Sequence, residues 1–183
     1  MLNLNFIPFP VIETERLMLR ELTDADVNEI FVFRSHPEIM RYLDRAPDTS
    51  LDQAKGSIER NSKALHAGEG ICWGISLKSE PKVIGTIAIW NITKEHHRGE
   101  IGYTLHPDHQ AKGIMQEAMK AIVGYGFHTM KLHSFEANVN PENEASIKLL
   151  ERSNFIKEAH FKENYFYDGR YLDSVIYSLL API

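Results

Sequence analysis

The 183-residue chain holds one cysteine, Cys72, so no internal disulfide can staple the fold and stability must come from a hydrophobic core. No apolar run approaches the ~18 residues of a spanning helix, and no membrane partner is expected. Lys and Arg form no basic block, and the formal net charge is −5, which speaks against direct nucleic-acid binding. The opening Met1-Leu2-Asn3-Leu4-Asn5-Phe6 lacks the basic start and small-residue cleavage site of an export signal, so a cytoplasmic location is expected. Repeats and low-complexity linkers are missing, which implies one domain over residues 1–183. Gly-Lys-Ser/Thr and the Rossmann glycine fingerprint are missing too. His106 and His109 flank Asp108, but the spacing defines no metal site, and no metal is expected.

The absences leave an anionic ligand open, because a few backbone N–H groups at a helix start can hold phosphate whatever the net charge. A negative surface also suits a cationic amine.

What is present reads as alternating strands and helices. Glu15 to Leu22 alternates as a strand, with Leu17 and Leu19 on one face. Thr23 caps a helix over Ala25 to Ser35, with Asp26 as a short variant of the capping-box acid, and Pro37 marks its end. A turn of helix follows at Ile39 to Leu43. A longer helix spans Leu51 to Ala67, stopped by Gly68 and Gly70. Strands are expected at Ile71–Leu77, Val83–Trp90 and Gly99–Leu105, the first two joined by a turn at Ser79-Glu80-Pro81-Lys82. Ile114 to Met130 carries a helical stripe in which Gly124 and Gly126 signal close packing or an irregularity. His133–Val139 returns to strand, and a helix starts near Asn143. A final hairpin, Phe155–Tyr167 and Arg170–Leu180, turns at Asp168-Gly169. The order β, α, α, β, β, β, α, β, α, β, β implies an α/β domain on a mixed sheet. Trp73 and Trp90 are expected in the core, with the lining of a cleft as the alternative, and Cys72 as a buried small residue rather than a nucleophile.

Two strand-to-helix junctions carry chemistry. In the first, Tyr103 to Gly113, a strand end, a short loop and a helix start come together. Small residues there expose successive N–H groups, the helix dipole favours an anion, Gly113 lets a bulky group approach, and Lys112 adds charge. An ordinary helix entry would look the same. In the second, Glu136 to Leu150, Asn138 and Asn143 can bind the amides of an extended ligand, and Ser146 follows Asn143 by three residues. Plain capping by Asn143 and Ser146 fits equally well.

Taken together these segments resemble the GCN5-related N-acetyltransferase (GNAT) family, in its branch that acetylates ribosomal-protein N-termini (RimJ/RimL-like). Gln110-Ala111-Lys112-Gly113-Ile114-Met115 is similar to the family's pyrophosphate motif, with Ala111 in place of a common glycine and Met115 in place of a small residue. Glu13 to Arg20 resembles the branch's opening strand, and Gly99 to Tyr103 its fourth. Asn143-Glu144-Ala145-Ser146 and Leu149 to Phe155 resemble its Asn-x-x-Ser helix and the strand after it, with Asn154 where glycine is common. Asp168 to Val175 resembles its terminal hairpin. The likeness runs from about residue 13 to residue 180.

The resemblance implies a GNAT fold whose mixed sheet splays in a V between two parallel strands, here Glu100–His106 and His133–Val139. It implies acetyl-CoA as cosubstrate. Backbone groups near Tyr103 and Leu105 would hold the pantetheine and acetyl carbonyl. The loop Gln110, Ala111, Lys112, Gly113, Ile114 and Met115 would hold the pyrophosphate, and Asn138 and Asn143 the pantetheine arm. Glu100 would be the general base and Ser146 the acid for the leaving sulfur. Each has a plainer role: Glu100 as ion pair or amine-positioning group, Ser146 as a helix-surface hydroxyl. His96 and His97 are rival bases, and Tyr103, Tyr125 and Tyr165 reserve hydroxyls. The implied acceptor is the N-terminal α-amino group of a ribosomal or other protein. A small amine (antibiotic, polyamine or metabolite) is the alternative, and a non-catalytic acyl-CoA-binding module the third. A homodimer is compatible with the resemblance.

Overall fold

The structure, a computed structural model, describes residues 1–182. Strands β1 (Ile12–Glu13) and β2 (Leu17–Arg20) open the chain, and helices α1 (Val27–Ser35), α2 (Pro37–Met40) and α3 (Leu51–Ala67) follow. Strands β3 (Ile71–Leu77), β4 (Glu80–Thr93) and β5 (Arg98–Leu105) form a meander. Then come α4 (Ile114–Tyr125), β6 (Ser134–Val139), α5 (Glu144–Arg152) and the hairpin β7 (Ile156–Tyr167) and β8 (Arg170–Leu180).

Among the described residues all eight strands join one sheet, in the order β1-β2-β3-β4-β5-β6-β8-β7. Every neighbouring pair is antiparallel except β5 and β6. Those two are parallel and pair only over Arg98–Glu100 against Ser134–Glu136. Beyond Glu100 they part, while β5 stays paired with β4 as far as Leu105. The mixed sheet with a V-shaped splay is therefore the architecture present.

Side chains alternate across the sheet and give it two different faces. One carries Trp73, Ile75, Ile87, Ile89, Ile101 and Phe135, which pack against Ile114, Met115, Ala118, Met119 and Ile122 of α4. The other is covered in part by α1 and α3, whose Ile30, Phe33, Ala54 and Ile58 cluster with Leu22 and Val83. Glu100 pairs with Trp90 on one side and Glu136 on the other, so all three rise from this second face.

Local chemistry explains most boundaries. Ser50 caps α3 by accepting from Gln53 N–H, and Gly68 ends it in the left-handed conformation at φ 64°. Asp26 reaches back to the Thr23 N–H at 2.8 Å and takes both Nη1 and Nη2 of Arg20. The Arg20 guanidinium and the Thr23 donors hold its carboxyl below the usual range against the opposing effect of burial. Asp168 and Gly169, both at positive φ, close the β7–β8 hairpin.

Several elements differ from the sequence reading. The helical turn expected at Ile39–Leu43 is α2, which starts on Pro37 and ends at Met40. The β3–β4 turn is at Lys78–Ser79, and β4 begins at Glu80 despite Pro81. Pro81 is tolerated because the ladder slips there: Leu77 faces Glu80 while Ser76 faces Val83. The helix expected to reach Met130 stops at Tyr125 and widens into a π turn over Gly126–Met130. A side-chain carbon on Gly126 would collide with the ring of Phe135, itself fully buried. Finally, β1 is two residues long, too short to leave a period. We expect Gly126→Ala to destabilise the fold by about 1–3 kcal/mol, as overpacked cores do. An unchanged thermal midpoint would show that the ring has room to move.

Candidate active site

The first junction forms a cradle at the start of α4. Gly113 occupies the N-cap position at φ 74° and offers no side-chain cap. Ala111 is also left-handed, at φ 57°, so the loop turns twice within three residues. Among the described residues, the backbone N–H groups of residues 111–115 have no acceptor. Such a run of free donors beside a helix N-terminus could hold phosphate oxygens. Ala111, Lys112 and Gly113 are exposed, whereas the side chains of Ile114 and Met115 are buried in the core, so those two can contribute only their N–H groups. Gln110 ties the loop to the sheet, its Nε2 donating to the Leu105 carbonyl at 3.1 Å.

A brace unforeseen in the sequence supports this loop from behind. Arg16 donates from Nη1 to the Lys112 carbonyl at 3.0 Å and from Nε to Glu117 at 2.7 Å. Glu117 also accepts from Thr14 Oγ1 and the Arg16 N–H. A side chain on Gly113 would meet Arg16 Nη2 at 3.4 Å, so the guanidinium flanks the cradle. The only signal in the sequence was the Thr14-Glu15-Arg16 segment, which gives no hint of a partner about a hundred residues away.

The second junction approaches the splay from α5. Asn143 caps α5, its Oδ1 accepting from the Ser146 N–H at 3.1 Å. Capping is thus real, and it still leaves the Asn143 amide nitrogen free for a ligand. Ser146 Oγ lies 2.6 Å from the Tyr103 hydroxyl, a contact that links α5 to β5 where β5 has left β6. Burial pushes the Tyr103 phenol up to about 12, so it keeps its proton at neutral pH. Asn138 is exposed on β6, two residues past its last pair with β5.

Glu100 stands at the fork. Burial and the charge of Glu136 raise its carboxyl above the ordinary value, while a 2.8 Å bond from Asn91 Nδ2 opposes them. Glu136 is engaged elsewhere, since Arg98 Nη2 holds it at 2.6 Å. His96 and His97 sit in the β4–β5 turn, where the carbonyl of His97 accepts from His133. Tyr125 packs edge-on against Trp73. The Tyr165 hydroxyl donates to Asp44 at 2.6 Å, joining the terminal hairpin to the loop before α3. That loop is anchored by Asp48, which takes Arg34 at 2.7 Å and Arg45 at 3.3 Å.

Next to Glu100 a cleft of about 640 Å³ opens between α3 and the strands β3 and β4, lined by Asn61, Glu69, Cys72, Trp90, Asn91 and Lys94 among others. Trp90 is a correction to the sequence reading: it is 48% exposed on the cleft, not core. Trp73 is core, its indole N–H donating to the Pro10 carbonyl. The Cys72 thiol is pushed up to about 12 by burial and is a poor nucleophile.

Comparison with known proteins meets this geometry. The family model described as "Acetyltransferase (GNAT) domain" matches residues 16–156. The chain belongs to the GNAT acetyltransferase family. It is similar to the "Uncharacterized N-acetyltransferase YoaA" of Bacillus subtilis, 35% identical over 174 residues, covering 95% of this chain and 98% of the relative. Among solved structures it is similar to the ribosomal-protein-S5-alanine acetyltransferase of Vibrio fischeri, with a TM-score of 0.83 at 25% identity, covering 93% and 96% of the two chains. It is also similar to the spermidine N-acetyltransferase of Vibrio cholerae in complex with CoA and spermine, with a TM-score of 0.80 at 26% identity, covering 91% and 96%. This GNAT protein is therefore an acetyl-CoA-dependent N-acetyltransferase. Two acceptor classes stand among its neighbours at nearly equal likeness.

We expect Gly113→Glu to weaken acetyl-CoA binding by at least about 1 kcal/mol, since it sets a like charge and bulk against the pyrophosphate and strains a left-handed residue. Unchanged affinity by calorimetry would reject this placement of the cofactor.

Proposed function

We propose that the enzyme acetylates the N-terminal α-amino group of a protein, with Glu100 as general base and the Ser146–Tyr103 hydroxyl pair supplying the proton to the departing thiolate. The observation that carries this reading is the position of these groups about the fork. Glu100 rises from the face that carries the open cleft. Tyr103, three residues further along the alternating strand, points to the other face and meets Ser146. A thioester lying in the splay would have a proton acceptor on one side and a proton donor on the other.

Acetyl-CoA fits the residues present. Past Glu100 the edge of β5 has lost its partner strand, so its backbone groups can take the amides of the pantetheine as a pseudo-strand. The free N–H groups of 111–115 would take the pyrophosphate, Lys112 adding charge at the rim. Asn138 and Asn143 border the same gap. Leu105 contributes less than the family pattern implies, because its carbonyl already accepts from Gln110.

The reaction is direct transfer. An α-ammonium enters the cleft and loses its proton to Glu100. The neutral nitrogen attacks the acetyl carbon, the C–N bond forms, and the C–S bond breaks as the sulfur takes a proton from Ser146; the nitrogen then sheds its second proton, which restores the hydroxyl pair, while Glu100 releases the first to solvent. Tyr103 can replenish Ser146 across their hydrogen bond. A carboxylate whose proton affinity is raised by burial is matched better to an α-amino group, near 7.7–8.0, than to an alkylamine of about 10.4.

The cleft supports the same choice of acceptor. Its charged lining is one acid, Glu69, opposed by Lys94. A polyamine with several positive charges calls for several unpaired carboxylates, and Glu136 is taken by Arg98. The exposed Trp90 offers a flat apolar wall to a peptide. A cytoplasmic location, where acetyl-CoA and nascent protein N-termini meet, belongs to the proposal.

CoA release should be measured with N-terminal peptides and, separately, with spermidine and other small amines. Peptide-dependent release exceeding that with the small amines by about tenfold or more in kcat/KM is expected, since tenfold is the ~1.4 kcal/mol of one good contact. Turnover on spermidine alone would replace the acceptor, and no turnover on any amine would make the chain a binding module.

Glu100→Gln is expected to lower kcat by on the order of 10²-fold or more, with little change in acetyl-CoA affinity. The carboxylate is the working form, so kcat/KM of the unaltered enzyme should climb as pH rises through the raised Glu100 value and lose that limb in Glu100→Gln. A limb retained in the variant assigns it to another group.

A further inference from the structure

The β4 strand breaks its register at the point where it meets Glu100. Trp90 pairs with Glu100 and Thr93 pairs with Arg98, so Asn91 and Ile92 together face the single residue Gly99. Two residues opposite one is a bulge, and a bulge re-aims a side chain that would otherwise point to the other face. Here Asn91 takes a positive φ of 45°, a conformation that asparagine tolerates better than other side-chain-bearing residues. The result is that Trp90 and Asn91, consecutive in sequence, both serve the Glu100 side of the sheet. Asn91 Nδ2 donates to Glu100 Oε2 at 2.8 Å, and Asn91 also lines the cleft. It is the residue shared by the base and the cleft.

We propose that Asn91 is a positioning residue for the acetyl transfer: its amide holds one oxygen of Glu100 so that the other faces the incoming amine, and its own carbonyl oxygen accepts a hydrogen bond from the acceptor's ammonium or first peptide N–H. The proposal rests on Glu100 acting as the base.

The chemistry of the amide fixes its orientation. An ionised carboxylate only accepts, so the NH₂ end must face Glu100 and the oxygen end is left for the cleft. Glu100 Oε1 then has no protein donor competing for it among the described residues. The charged groups nearby are Glu136 on β6, bound by Arg98 from the strand of Glu100 itself, and Lys94 and Glu69 on the cleft wall. The field of Glu136 favours the protonated base, whereas the amide donor favours the carboxylate. Removing the amide therefore leaves the base under burial and Glu136 alone, and its proton affinity rises. An aspartate in its place adds a second carboxylate against Glu100 and raises it further.

The test is the pH profile of kcat/KM with whichever amine the enzyme turns over best, for the unaltered enzyme, Glu100→Gln, Asn91→Gly and Asn91→Asp. Glycine accepts the positive φ without strain, so Asn91→Gly separates loss of the amide from damage to the bulge. Aspartate keeps the shape and removes the donor. The expected result is an acid limb displaced upward in Asn91→Gly, and by on the order of one pH unit or more in Asn91→Asp. Plateau kcat should drop by roughly tenfold through lost orientation, and acetyl-CoA affinity and thermal midpoint should stay near those of the unaltered protein. A purely structural asparagine would lower the plateau without moving the limb. If the limb vanishes in Glu100→Gln yet stays put in both Asn91 variants, the role of Asn91 is overturned while the base assignment stands. A limb that survives in Glu100→Gln removes the base assignment and this proposal with it.

Discussion

The parting of β5 from β6 after Glu100 is the constraint on which the rest of the molecule depends. A parallel pair normally continues until one strand ends, because an unpaired backbone group shielded from water costs about as much as a lost hydrogen bond. Here pairing stops after three residues on each strand, although β5 runs on to Leu105 and β6 to Val139. The sheet stays intact because each strand keeps its other neighbour, β4 for β5 and β8 for β6. The opened edges supply donors and acceptors that an extended, amide-bearing ligand can use. The groups assigned roles in the proposed reaction are arranged around that opening. The 111–115 cradle lies just beyond the end of β5, Ser146 and Tyr103 join across it from α5, and Glu100 stands where the strands divide.

The sheet's two faces divide the labour. Aliphatic packing of β3, β4 and β5 on α4 makes a stiff platform, fully buried at Trp73, Ile75, Ile87 and Ile89. That rigidity holds the N-terminus of α4 against the end of β5, with Arg16 and Glu117 fastening the loop between them. The opposite face is only partly covered, by α1 and α3, and keeps Trp90, Asn91 and Glu100 within reach of a partner molecule. The proposed roles follow that division, with the cofactor on the start of α4 at the packed face and the acceptor in the cleft of the open one. This division fits a family that keeps one acyl donor while its members act on different amines.

How much of this was legible in the sequence depended on whether the signal was local. The bounds of α3 could be read residue for residue because Ser50 and Gly68 are capping signals in themselves. The β8 strand and its Asp168-Gly169 turn were equally plain. The cradle was legible as a motif, since Gly113 needs a left-handed backbone and free N–H groups follow from any helix start. Longer-range features left little trace: Gly126 signalled close packing or an irregularity, but neither its partner nor the form of the break could be read. The brace from Arg16 to the Lys112 carbonyl joins residues 96 positions apart. At the π turn Gly126 packs against the ring of Phe135, a residue of a strand that the helix pattern does not include. Trp90 looked like core because it ends an apolar run, yet it precedes a bulge and lies on the open face. Asn91 was silent, because a bulge is a property of two strands in register and not of either one alone.

The central claim is that acetyl-CoA lies in the splay as a substitute strand with its pyrophosphate on the start of α4. Amide hydrogen exchange, with and without acetyl-CoA, tests it most directly. The account predicts slowed exchange at residues 111–115 and along β5 beyond Glu100, with little change over Arg98–Glu100, which is already paired to β6. Protection confined to other parts of the chain, with residues 101–105 and 111–115 unaffected at saturating acetyl-CoA, would contradict it.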